Sequence, residues 1–171
     1  DCMRGVAKKN EDPGLCAKIG RADVKDGCHY DIAKAKGDIA ACAAITGENM
    51  KDNCLGDIAA EKLEPAGCRD IKSDYTRGQC YIKIVQETGD PAVCDGIENV
   101  GNKDGCINAL AALKKDESYC SGLSGQDVLD VCLSGVAVET GGNLICAKIQ
   151  DQRQKDQCFY LVGKKNKDAN V

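Results

Sequence analysis

The 26 residues from 12 to 37, DPGLCAKIGRADVKDGCHYDIAKAKG, decide the fold, because their pattern recurs along almost the whole chain. Its opening phrase, DPGLCAKI at 12–19, nearly recurs as DPAVCDGI at 90–97. The spacings between the 13 cysteines alternate between 14 and 12 residues without one exception. A fixed period of this kind is the signature of a repeat architecture.

Six repeats of 26 residues follow a shorter N-terminal segment. Residues 1–11 form a half-repeat, the full repeats are 12–37, 38–63, 64–89, 90–115, 116–141 and 142–167, and residues 168–171 form a tail. We call the first cysteine of a repeat its A cysteine and the second its B cysteine; Cys2 is the B cysteine of the half-repeat. No stretch resembles a linker, so the sequence predicts a single domain over 1–171.

Apolar residues follow each cysteine at helical spacing. In the first repeat Ile19 stands three residues after the A cysteine and Ile32 four residues after the B cysteine, and all six repeats keep an aliphatic residue at both places. Offsets of three and four place these residues on one helical face, whereas a strand needs offsets of two. Each repeat is therefore predicted to contain a short helix A, a turn and a longer helix B. The fold class is all-α, an α-solenoid of about 13 short helices.

Acids and glycines mark the predicted helix ends. An acid stands four residues before the A cysteine in five repeats, and an Asp stands two residues before the B cysteine in five repeats, with Gly78 as the exception. We expect both sets of acids to be helix N-caps or first-turn residues. Gly37, Gly89 and Gly141 directly precede a new repeat, as expected of glycines at a helix C-terminus.

Two regular disulfide schemes are open to an odd number of cysteines. Pairing across 14 residues leaves Cys158 alone, whereas pairing across 12 residues leaves Cys2 alone. In a helical hairpin the bridged residues must lie at similar heights above the turn, and the 12-residue scheme gives the smaller mismatch. Geometry therefore favours one bridge within each repeat: Cys16–Cys28, Cys42–Cys54, Cys68–Cys80, Cys94–Cys106, Cys120–Cys132 and Cys146–Cys158.

The composition favours a structural protein over an enzyme. The only histidine, His29, is expected to be a half-exposed helix residue, and no C-x₂₋₄-C pair or nucleotide-binding loop occurs. We therefore expect no catalytic residue, metal, cofactor or small-molecule ligand. Net charge is −4 with both signs mixed, which gives no nucleic-acid footprint, and no apolar run is long enough to span a membrane. The cysteine density is typical of secreted proteins.

The two terminal helices carry apolar residues where polar ones are expected. A free-standing solenoid needs polar caps, but the last helix reads CFYLV at 158–162 and the first begins CMRGV with an odd cysteine. One interpretation is that the apolar side chains cover their own repeat. The other is that both ends contact a neighbour, head to tail. The predicted subunit contacts are Cys2, Met3, Phe159, Tyr160 and Leu161.

The stacked helix-turn-helix units resemble the tetratricopeptide class of α-solenoids, although the period here is 26 and is built on Cys. The phrases D-P-x-x-C-x-x-I at 12–19 and D-x-C-x-x-x-I at 26–32 are similar to disulfide-stapled helical repeats in secreted archaeal and bacterial proteins. Some extracellular prokaryotic filaments are similar in using solenoid-like subunits. The resemblance implies a secreted, cell-surface structural protein.

Two functions remain open at this point. The first is a subunit that polymerises head to tail with copies of itself into an extracellular filament. The alternative is a monomeric extracellular scaffold that binds a protein through one face of the solenoid.

Overall fold

A computed structural model of the chain describes residues 2–168, and within them the all-α prediction is confirmed, with no strand. Of the predicted tail at 168–171, residues 169–171 lie outside the described residues. The B helices begin with the half-repeat and number seven: α1 (Cys2–Asn10), α3 (Ala22–Lys36), α4 (Glu48–Lys62), α5 (Asp74–Thr88), α7 (Val100–Lys114), α8 (Gln126–Thr140) and α10 (Gln152–Asp168).

The A elements are shorter, and half of them are 3₁₀ rather than α-helical. Their bounds are α2 (Pro13–Ala17), η1 (Ile39–Ala44), η2 (Pro65–Cys68), α6 (Ala92–Asp95), η3 (Glu117–Gly122) and α9 (Asn143–Cys146). A segment of four to six residues is too short to close many α-helical hydrogen bonds, and the tighter 3₁₀ turn satisfies its N–H groups instead. The predicted alternation of short A and longer B elements is confirmed.

Every B helix from α1 to α8 ends with a residue in the left-handed region. Gly37, Gly89 and Gly141 adopt φ of 60°, 61° and 71°, as predicted for C-terminal glycines, and Glu11, Leu63 and Lys115 adopt the same conformation without being glycine. In the first repeat the N–H of Asp38 then donates to the carbonyl of Ala33, five residues back. This pattern turns the chain sharply into the next A element.

The chain divides into two compact units, Asp1–Ile84 and Val85–Val171, and the prediction of a single domain stays a prediction. In the first unit, one cluster of buried residues consists of Ala7, Cys16, Cys28 and Ile32. In the second, a larger cluster contains two cystines and aliphatic side chains such as Leu133, Val136 and Ile149. Large aromatic side chains contribute little, so the cystines form a substantial part of each core.

Six disulfides follow the 12-residue scheme, one within each repeat, with Cα–Cα distances of 5.6 Å to 5.8 Å. Each bridge ties the second half of an A element to the second turn of its own B helix. Cys2 is the free cysteine of the chain and is exposed.

Candidate functional site: the repeat interface and its exposed end

Buried carboxylates fasten each of four repeats to the next. The Asp two residues before the B cysteine is almost fully buried in these repeats, with exposed fractions of 5%, 4%, 7% and 1% at Asp26, Asp52, Asp104 and Asp130. Each carboxylate accepts hydrogen bonds from the backbone just before the following B helix. The N–H groups of Thr46 and Gly47, for example, lie 3.0 Å and 2.8 Å from the two oxygens of Asp26.

The prediction that these Asp residues cap their own helices is wrong. Asp26 is the fifth residue of α3, and its carboxylate serves the start of α4 instead. The reason is that a side chain in the second turn lies beyond the free N–H groups of its own helix, whereas the neighbouring helix presents unpaired N–H groups within reach. The carboxylate therefore acts as an N-cap supplied by the preceding repeat. We call this contact the inter-repeat clamp.

Four of the five other acids behave as predicted, whereas the side chain of Glu64 makes no cap hydrogen bond. Four residues before the A cysteine, the side chains of Asp12, Asp38, Asp90 and Asp116 each accept from the N–H two residues further on. Those bonds start each A element locally.

The clamp lowers the pKa of two of its carboxylates, Asp26 and Asp130. At Asp130, burial acts to raise the pKa, but the hydrogen bonds from the backbone of Asp151 and Gln150 outweigh it, so the pKa lies below its ordinary value. At Asp26 the same balance holds, with burial opposing and the backbone of Thr46 and Gly47 prevailing. Hydrogen bonds to the charged form favour that form, so these groups remain ionised although buried.

The repeat interface also has an apolar part. The residue directly after the B cysteine is buried in three repeats. These residues are Leu55, Tyr81 and Leu133, with exposed fractions of 7%, 3% and 6%. The residue five positions after the B cysteine is small or β-branched and fully buried in six B helices: Ala7, Ala33, Ala59, Val85, Ala111 and Ala137. The small side chain matters because the next A element packs closely here, as the β-carbon of Ala59 does against Gly67.

A polar ladder joins the first B helices along their sides. The hydroxyl of Tyr30 donates to Asp57 of the next B helix, and Lys34 lies 3.6 Å from the same carboxylate. One repeat earlier, Arg4 of α1 donates to Asp31 at 2.8 Å and Lys8 lies 4.0 Å from it. The residue three positions after the B cysteine is an Asp only in these first two repeats.

The last B helix carries the same surface with nothing on it. Phe159, which corresponds to Leu55 and Leu133, is 40% exposed, and Tyr160 is 68% exposed. Asp156 occupies the clamp position and is exposed, and its described hydrogen bond comes from the side chain of Gln152 at 2.8 Å. Gln126 holds the buried Asp130 in the same way. Gln152 thus holds the carboxylate of Asp156 in position although no described repeat follows α10.

Gly163 completes that surface. It stands five residues after the B cysteine, where the other B helices have a buried alanine or valine, and it is half-buried. A β-carbon added to Gly163 would meet no atom within 4 Å. Leu161, in contrast, stands at the position by which Asp31 and Asp57 contact the preceding helix, and it is half-buried. We therefore leave Leu161 out of the outward surface, which consists of Asp156, Phe159, Tyr160 and Gly163.

At the other end, α1 exposes a thiol and two apolar side chains. Met3 is 45% exposed and Val6 is 44% exposed, although the residues that correspond to Val6 are at most 2% exposed in all six repeats. Cys2 lies beside them. The structure therefore places four predicted contact residues, Cys2, Met3, Phe159 and Tyr160, on exposed surfaces of the terminal helices.

The rest of the described chain offers little for chemistry. Among residues 2–168 no group of His, Cys, Asp and Glu is arranged to hold a metal ion. His29 is half-buried, and burial lowers its pKa more than Asp26 raises it. Shallow notches of about 290 Å³ and 200 Å³ open between neighbouring B helices where the side chain is small, at Gly56 and at Ser134. Of the described helices, none combines the length and apolar character that crossing a bilayer requires.

Comparisons with known proteins return no relative. No protein-family model, no curated protein and no solved structure matches the chain. The structure therefore defines the class as a disulfide-stapled, all-α helical-repeat protein. Six disulfides are typical of an oxidising compartment, which indicates an extracellular or secreted protein.

Proposed function

We propose that the chain is a secreted structural subunit that assembles head to tail with copies of itself into an extracellular filament. The observation that carries the proposal is the outward surface of α10. Its Phe159 is exposed, while Leu55 and Leu133 at the same position are buried by helical repeats. Terminal repeats that stay separate usually present a polar outer face, whereas α10 presents exposed aromatic side chains that a further helix can cover.

The contact that we propose is heterologous, because the surfaces at the two ends differ. A heterologous contact that does not close into a ring produces a filament. The exposed Cys2 and Met3 of α1 lie at the opposite end of the sequence from Phe159 and Tyr160. The proposal gives both terminal helices a role and needs no ligand or cofactor.

The test compares two exposed tyrosines. We expect the purified, oxidised protein to form fibres in negative-stain electron microscopy and to sediment with a mass that rises with concentration. Tyr160→Ser on α10 should reduce assembly strongly. Tyr75→Ser, at a side chain that is 77% exposed on α5, is the matched control and should leave assembly unchanged.

The outcomes separate this function from the alternative. A compact monomer at all concentrations, with Cys2 open to alkylation, would refute the filament and favour the monomeric binding scaffold. Equal effects of the two tyrosine variants would show that assembly does not use α10.

A further inference from the structure

Two B helices carry the same three polar residues at intervals of one turn. Within the sequence, the combination of Asp, Tyr and Lys at i, i+4 and i+8 around the B cysteine occurs in α3 as Asp26, Tyr30 and Lys34, and in α10 as Asp156, Tyr160 and Lys164. Residues at these intervals share one side of a helix. We call them the α3 triad and the α10 triad.

The α3 triad is fully engaged. Asp26 accepts from the backbone of Thr46 and Gly47, and both Tyr30 and Lys34 contact Asp57 of the second repeat. The α10 triad is exposed at all three positions. The α3 triad binds two backbone N–H groups before a B helix and an Asp three residues after a B cysteine. We expect the α10 triad, which has the same residues at the same spacing, to bind the same groups.

The first repeat presents this set a second time. Gly20 and Arg21 correspond to Thr46 and Gly47, and Asp31 corresponds to Asp57. Among the described residues, no carboxylate accepts from the N–H of Gly20 or Arg21. Glu61, which also receives Lys34, corresponds to Ala35, so Asp31 is the acidic partner in this repeat.

In the isolated chain, the place before the first repeat is held by α1. Arg4 and Lys8 of α1 contact Asp31, and Ala7 is buried against the first repeat. The described part of α1, Cys2–Asn10, corresponds to the other B helices from the B cysteine onward.

The sequence of α10 matches that of α1 more closely than it matches the sequence of any other B helix. CMRGVAKKN at 2–10 and CFYLVGKKN at 158–166 agree at five of nine positions, C, V, K, K and N, and the KKN triplet occurs nowhere else. The next best match to α10 is CHYDIAKAK of α3, with three of nine. The sequence of α10 is thus more similar to that of α1 than to that of any other B helix.

We propose that α10 of one copy displaces α1 of the next copy and takes its place against the first repeat. Asp156 then accepts from Gly20 and Arg21, and Tyr160 and Lys164 contact Asp31, as the α3 triad does one repeat further on. The repeats continue across the joint from α10 directly into α2. This inference rests on the proposed filament and names its contact.

If α1 stayed in place and α10 docked onto it, the α10 triad would not find the partners that the α3 triad has. In that register Lys164 would meet the counterparts of Asp57 and Glu61, which in α1 are Gly5 and Lys9. Two lysines would then face each other where Lys34 and Glu61 form an ion pair at 3.1 Å. Like charges brought together at an interface disfavour that partner.

Charge reversal distinguishes the two arrangements. We expect Lys164→Glu to raise the concentration needed for filament formation at least tenfold, and Lys164→Glu combined with Asp31→Lys to restore assembly. Lys115→Glu makes the same charge change at an exposed residue of the fourth repeat and should change that concentration less than twofold. If Lys164→Glu promotes assembly, α10 docks onto α1 and the displacement is refuted.

Hydrogen exchange of the full chain provides the direct readout. On assembly, the amides of residues 3–10 should lose protection while those of 156–164 gain it, and trypsin should cleave filaments after Arg4, Lys8 and Lys9. Filaments in which residues 3–10 gain protection would overturn the displacement and leave the filament function in place. A chain that never assembles would remove both.

Discussion

The inter-repeat clamp predicts a large difference between two aspartates at the same position of neighbouring repeats. Asp130→Ala removes a carboxylate that is 1% exposed and accepts from the N–H of Gln150 at 3.1 Å and of Asp151 at 2.8 Å. A hydrogen bond to a charged group contributes about 1.5–3 kcal/mol, and the two residues that donate are exposed enough for water to replace part of the loss. We expect a loss of about 2–4 kcal/mol in unfolding free energy.

Asp156→Ala is the matched control. Asp156 has the same neighbour four residues before it, but it is exposed and accepts from the Gln152 side chain alone among its described contacts. An exposed pair at this spacing contributes about 0.2–0.5 kcal/mol. Asp130→Asn keeps the shape and one acceptor, and should fall between the two alanine variants.

Guanidinium unfolding followed by circular dichroism, under oxidising conditions and at concentrations where the protein is monomeric, measures these differences. Hydrogen exchange adds a local readout, because the start of α10 should lose protection in Asp130→Ala while α4 does not. If the free energies of Asp130→Ala and Asp156→Ala differ by less than about 0.5 kcal/mol, the clamp does not fasten the repeats and our account of the interface is wrong.

Three further outcomes are expected. Replacing Cys146 and Cys158 together with alanine opens one loop and should cost about 3 kcal/mol, measured by the same unfolding experiment. Because the pKa of Asp130 is lowered, its stabilisation is complete above the ordinary Asp pKa of about 4 and is lost as the pH falls through the folded-state pKa, so Asp130→Asn should flatten the acid side of the stability profile. Cys2→Ser should abolish any covalent ladder on non-reducing gels without preventing filament formation.

The period, the helix types and the cysteine pairing follow from local features of the sequence. Spacings of three and four residues fix which side chains share a helical face, and two cysteines at equal height above one turn bring their sulfurs together. Four of the five acids before the A cysteines were also predicted correctly, because an N-cap binds N–H groups only two or three residues away in the sequence.

The direction of the clamp carboxylates was missed because it depends on the neighbouring repeat. Periodicity places Asp26 on a side of α3 but does not say which backbone covers that side. One signal was present in the third repeat, where Gly78 replaces the Asp. In the repeat that follows, Asn99 caps α7 with its own side chain, which accepts from the N–H of Asn102 at 2.9 Å. Gly47 and Gly125, which start α4 and α8, offer no such cap and follow repeats that carry the Asp.

A clamp that binds backbone N–H groups has little means of distinguishing its own chain from another copy. The turns before α4, α5, α8 and α10 all present backbone N–H donors to a clamp carboxylate, so Asp156 by itself would not distinguish between them. The polar ladder supplies the selectivity, because an Asp three residues after the B cysteine is found only in the first two repeats, and Asp57 is already engaged by α3. Asp31 is held by Arg4 and Lys8 of α1 in the isolated chain, and it becomes available to Tyr160 and Lys164 once α1 is displaced as we propose. In the proposed filament, the ladder would restrict growth to the first repeat, so that subunits add one after another.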